Sequence, residues 1–126
     1  MIDVNHDYYT DKYISETLAQ QKDDIVSWKN NNLGFYYMAT NLRSTVELMR
    51  KTAFPAKIPV VDFINGKPFW KDAEKIDRWK KCHKDFVDAQ PNRIGITATG
   101  CGHLIYHDNP DLVIRSIVEM YTKAQQ

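Results

Sequence analysis

The stretch Ile58-Pro59-Val60-Val61-Asp62-Phe63-Ile64 decides the fold. It is apolar, β-branched and short, with Pro at its start and Asn65-Gly66 after it. A run of this length and content predicts a buried strand of a parallel sheet. Asp62 interrupts the run and points either to a sheet edge or to a polar partner. A second run, Arg93-Ile94-Gly95-Ile96-Thr97, follows the turn at Gln90-Pro91-Asn92. Between the two, Phe69 to Val87 carries Trp70, Ala73, Ile76, Trp79, Cys82/His83 and Phe86 at helical spacing. Strand, helix and strand make a right-handed parallel crossover. Two parallel strands are too few to stand as a sheet alone. The run therefore predicts one flank of a larger α/β sheet.

Upstream the pattern is helical. Ile14, Leu18, Ile25 and Trp28 form one stripe over residues 11–29, with Thr10 or Asp11 as its cap. Asn30, Asn31, Asn32 and Gly34 predict its end, since Asn and Gly accept turn backbone. Met38, Leu42, Val46 and Met49 predict a second helix ending near Lys51. Downstream, Asp108 or Asn109 caps a last helix, with Pro110 and Asp111 in its first turn. Val113, Ile114, Ile117, Val118 and Tyr121 form its apolar face.

Composition narrows the classes. The 126 residues suffice for one domain with a modest core. Lys plus Arg number 17 against 16 Asp plus Glu, without the basic excess of a nucleic-acid binder. No apolar run approaches the roughly 20 residues of a membrane span. Met1 is followed by Asp3, Asn5, His6 and Asp7, so no signal peptide is expected. Two cysteines, Cys82 and Cys101, do not make a disulfide framework, and a cytoplasmic setting with reduced thiols is expected. Aromatic residues at 12% suit a packed interior or a lined pocket and argue against disorder.

Thr97 to Tyr121, T-A-T-G-C-G-H-L-I-Y-H-D-N-P-D-L-V-I-R-S-I-V-E-M-Y, resembles the C-terminal end of the α/β-hydrolase fold. In that family the last strand runs into a Gly-His loop. An apolar or aromatic residue, an acid and a Pro follow before the final helix. Gly102-His103, Tyr106, Asp108 and Pro110 stand at those places. Ile58-Pro59-Val60-Val61 resembles the Pro-led strand before it, and the helix bearing Trp79 resembles its connecting helix. The resemblance covers Ile58 to Tyr121 by motif and the preceding residues by position. It implies an α/β fold class: the C-terminal flank of an α/β-hydrolase sheet, two parallel strands with covering helices, plus a helical cap segment. Residues 1–54 are then the cap and return helix, and residues 55–126 the strand-helix-strand-helix part of the core.

The resemblance implies serine-hydrolase chemistry on an ester, amide or similar bond of a small apolar substrate, with no cofactor. The His after the last strand is that family's general base, a role falling here on His103. Gly100 and Gly102 suit the sharp turn before it. The nucleophile's G-x-S-x-G elbow is absent from these residues. Ser15, Ser27, Ser44 and Ser116 all lie in other contexts. Where the family often places Gly-x-x-Asp, this sequence has Asn65-Gly66-Lys67-Pro68. The acid is then Asp72, the nearest later carboxylate, or a residue after an earlier strand outside the sequence. Phe35, Tyr36 and Tyr37 either line an acyl pocket under the cap or pack a core. The partners expected are the small-molecule substrate and either an N-terminal half or a second copy through the sheet edge. Neither nucleic acid nor membrane is expected. These residues alone are not expected to turn over. The competing reading is a non-catalytic α/β module that associates through an open sheet edge.

Two sharper chemistries fit poorly. Cys101 and His103 are too close in sequence for a nucleophile-base pair, whose members normally come from different loops. Cys82, His83, Cys101 and His103 lack the spacing of a zinc site, so no metal is expected. The charges from Lys71 to Asp85 alternate in sign, which fits a solvated helix face with i,i+4 pairs.

Overall fold

The computed structural model describes residues 8–52, 54–68 and 70–125. The chain divides into two compact units, Met1–Phe54 and Pro55–Gln126.

The first unit is helical: α1 (Asp11–Gln20), α2 (Lys22–Asn31), α3 (Leu33–Thr40) and α4 (Leu42–Lys51). Thr10 caps α1, its hydroxyl accepting from Tyr13 N–H. The single helix expected over residues 11–29 is interrupted at Gln21. The break is slight, because Gln21 N–H still reaches Thr17 C=O and Ile25 N–H reaches Gln21 C=O. Asn32 makes the real break with φ −154° and ψ 81°, and its side chain accepts from Phe35 N–H. The Asn run thus ends one helix and starts the next, and Gly34 lies inside α3 rather than stopping α2. Asn41 separates α3 from α4, its side-chain amide donating to Tyr37 C=O in competition with the helix ladder.

Helices of eight to ten residues are marginal by propensity and depend on packing. Tyr8, Ile14, Ala39 and Val46 supply it, all buried. Tyr8 meets the rings of Tyr9 and Tyr13 edge-on at centroid distances of 5.4 and 5.0 Å. Arg50 of α4 ties back to α1, pairing with Asp11 at 2.9 Å and donating to Tyr9 C=O.

The second unit is mixed α/β. Its elements are β1 (Val60–Asn65), α5 (Ala73–Asp88), β2 (Arg93–Ala98), α6 (Ile105–Asp108) and α7 (Pro110–Ala124). The strands pair parallel, with Asp62 opposite Gly95 and Asn65 opposite Ala98. Both expected strands and the helix between them are present. α6 was not expected, and at four residues it is too short to show a period. Among the described residues the sheet has two strands.

Side chains alternate across a sheet, so Asp62 and its partner Gly95 share the face that α5 covers. A Cβ on Gly95 would lie 3.1 Å from Val87 Cγ2, so the helix packs close there. Arg93 stacks over the Phe86 ring at 4.0 Å and donates to Phe86 C=O at 2.7 Å. The strands are less enclosed than a central parallel pair, since Ile94 is 43% exposed. The apolar face expected of α7 is turned outward. Ile114, Ile117, Val118 and Tyr121 are 57–68% exposed, while Ser116 is buried and donates to Leu112 C=O. No helix among the described residues is long and apolar enough to cross a membrane.

Candidate functional site

Parallel strands bring their carboxyl ends to one edge, where the loops after β1 and β2 meet. Gly66 N–H donates to Ala98 C=O at 3.0 Å and Lys67 N–H to Cys101 C=O at 2.9 Å. The approach is close enough to require glycine at 66. A Cβ there would fall 2.7 Å from Ala98 O and 2.9 Å from Thr99 Cα, both backbone atoms. Neither atom can swing aside as a side-chain terminus could.

The loop after β2 turns at Gly100, whose φ of +80° suits a residue without Cβ. Gly102, expected to share that conformation, does not: among the described glycines only Gly100 has positive φ. Gly102 instead donates its N–H to Asp108 Oδ2 at 2.7 Å. Cys101 is buried, with its N–H on Ala98 C=O. His103 follows Gly102 and is exposed. α6 then closes the loop, with His107 and Asp108 N–H both donating to Leu104 C=O. Asn109 accepts from Leu112 N–H and starts α7, with Pro110 at its first position. Of the two caps expected, Asn109 takes the work.

Asp108 is held below the usual carboxylate range. The Gly102 N–H bonded to its carboxylate is the largest cause, followed by the neighbouring His107 imidazole, with Lys67 a lesser one. A charge-assisted bond of this kind favours the ionised form. An exposed imidazole on a tethered loop can take and return protons, the work of a general base.

The other expected residues lie elsewhere. Asp72 caps α5, its Oδ1 accepting from Glu74 and Lys75 N–H at 3.0 and 3.3 Å. Phe35, Tyr36 and Tyr37 belong to α3 in the first unit. Phe35 packs against Trp28 at 5.4 Å, Tyr36 against Tyr37 at 5.3 Å, and Phe35 and Tyr37 remain half-exposed. Cys82 and Cys101 are both buried, and neither is in a disulfide. Among the described residues no group of three or more His, Cys, Asp or Glu is placed to hold a metal. Lys81 and Lys84 pair with Asp85 and Asp88 on the exposed face of α5.

Asp62 has the polar partner its position in an apolar strand suggested. Its Oδ2 lies 2.6 Å from His83 Nδ1, and both side chains are buried, at 8% and 3% exposure. A carboxylate only accepts, so Nδ1–H is the donor. The opposite nitrogen, Nε2, is buried with no hydrogen-bond partner among the described residues. The Trp79 ring stands edge-on to the imidazole at 4.2 Å. The signals for this pair were a charge inside an apolar strand and a His on the apolar side of the next helix.

Compared with protein-family models, with curated proteins and with solved structures, the chain matches none.

Proposed function

We propose that residues 58–121 act as the C-terminal part of an α/β-hydrolase, with His103 as general base. The reaction is hydrolysis of an ester, amide or similar bond in a small apolar substrate. The serine comes from a G-x-S-x-G segment outside these 126 residues, and the setting is cytoplasmic. One observation carries the reading: His103 stands exposed on a tethered loop at the carboxyl end of two parallel strands. That edge is where open α/β sheets bind ligands. The base takes the serine proton and later gives it to the leaving group. Asp72 Oδ1 serves the first turn of α5, which favours a triad acid after an earlier strand outside these residues.

The purified chain is expected to leave p-nitrophenyl acetate unhydrolysed. Turnover that survives His103→Ala would overturn both the role of His103 and the need for an outside serine. The coding sequence upstream of Met1 gives a second check. A strand pattern followed by G-x-S-x-G supports the reading, and a continuous reading frame without it speaks against it.

A second reading rests on a different observation. The two strands leave open edges among the described residues, and α7 exposes four large apolar side chains in one stripe. Such surfaces favour association, so a non-catalytic module joining a second copy is the competing function. Sedimentation tests the module: it requires a concentration-dependent dimer of the purified chain, and a stable monomer removes it.

A further inference from the structure

Asp108 stands where local helix preferences do not explain it. It is the last residue of α6, and a carboxylate is unfavourable at the carbonyl end of a helix. It does not cap α7 either, because Asn109 takes the Leu112 N–H. Its partner lies six residues back. Oδ2 accepts from Gly102 N–H at 2.7 Å, and Oδ1 lies 3.4 Å from His107 Nδ1.

The bond matters because of what it fixes. On the upstream side, Cys101 is anchored by its N–H on Ala98 C=O and its C=O on Lys67 N–H. On the downstream side, the helical turn starts at Leu104 C=O. Between these anchors the Gly102 N–H is tied to the Asp108 carboxylate. His103 follows directly.

We propose that Asp108 is a positioning residue for His103: its carboxylate holds the Gly102 N–H and so sets the direction in which the loop presents the imidazole. The inference rests on the reading of His103 as the base. Asp108 acts through the backbone and touches no reacting atom. The depressed carboxyl titration of Asp108 agrees with a carboxylate that keeps this bond at neutral pH.

Amide and imidazole NMR on the full chain tests the proposal. In the wild type the Gly102 amide resonance is expected to shift as pH falls, with a midpoint below the ordinary carboxylate value. Asp108→Asn keeps an acceptor, so it should abolish that titration while retaining one ordered His103 ring environment. Asp108→Ala should speed Gly102 amide exchange by about tenfold, the order expected for one charge-assisted bond. It should also broaden or split the His103 ring signals, while the amides of β1 and β2 stay in place. Should Asp108→Ala fail to fold, the Asp108→Asn titration still decides. A Gly102 amide that is insensitive to pH in the wild type, or His103 signals unchanged in Asp108→Ala, would overturn the proposal. None of these readouts needs a substrate. Failure of the hydrolase reading in the ester assay therefore remains distinct from failure of the Asp108 tie.

Discussion

The second unit pairs histidine with aspartate chemistry in two settings of opposite character. On the covered side of the sheet, Asp62 and His83 meet at 2.6 Å with almost no exposure. At the carboxyl end, Asp108 ties down the loop that presents the exposed His103. The first imidazole has one nitrogen bonded to Asp62 and the other shut inside, so it can stabilise the fold and cannot reach a substrate. The second is open to solvent. A strong hydrogen bond thus marks His83 as part of the packed interior, whereas the role proposed for His103 rests on its exposure at a strand end.

The comparison breaks most readily at the buried pair. Asp62→Ala leaves His83 buried without its carboxylate and is expected to cost about 3 kcal/mol. That is a large fraction of the stability of a small domain. Chemical denaturation measures it, and a loss below about 1 kcal/mol would remove the structural role given to the pair. Asp108→Ala, by contrast, is expected to leave the denaturation midpoint nearly unchanged.

Next in size is the meeting of the two strand-end loops. Gly66→Ala sets a methyl against Ala98 O and Thr99 Cα, and is expected to destabilise by about 2 kcal/mol. An unchanged midpoint would show that the loops can separate without harm, and the site geometry with them.

The acid response comes third. Asp108 titrates below its ordinary value when folded. Its contribution is therefore fully present above the ordinary carboxylate range and is lost as pH falls through the lowered value. Limited proteolysis in acid should open residues 100–108 before the sheet unfolds. Simultaneous loss of both would mean that the loop has no separate tie.

The smallest effect belongs to the exposed pairs on α5. Lys81→Ala and Lys84→Ala should each move Tm by less than about 2 °C, because solvent screens these charges. A larger fall would show that the α5 surface contributes more than its exposure suggests.

The division between what was legible in the sequence and what was not follows the range of each interaction. Thr10 and Asn109 cap helices through bonds three residues long, and short-range patterns reveal such residues. The apolar run around Asp62 announced a parallel strand because burial on a sheet dictates its composition. The breaks at Gln21 and Asn41 left no mark, since their backbones depart only slightly from helix. The closeness that demands Gly66 depends on a strand more than thirty positions away. Asp62 and His83 each stood out, but their pairing across 21 residues is a property of the fold. The outward turn of Ile114, Ile117, Val118 and Tyr121 was hidden for the same reason: periodicity shows that a helix has an apolar face and not what that face meets.

The most direct test of His103 compares ester hydrolysis before and after its removal in the polypeptide that joins this chain to an elbow-bearing upstream segment. The account predicts that His103→Ala lowers kcat by about 10,000-fold with the fold intact. Equal turnover by the two proteins would contradict it.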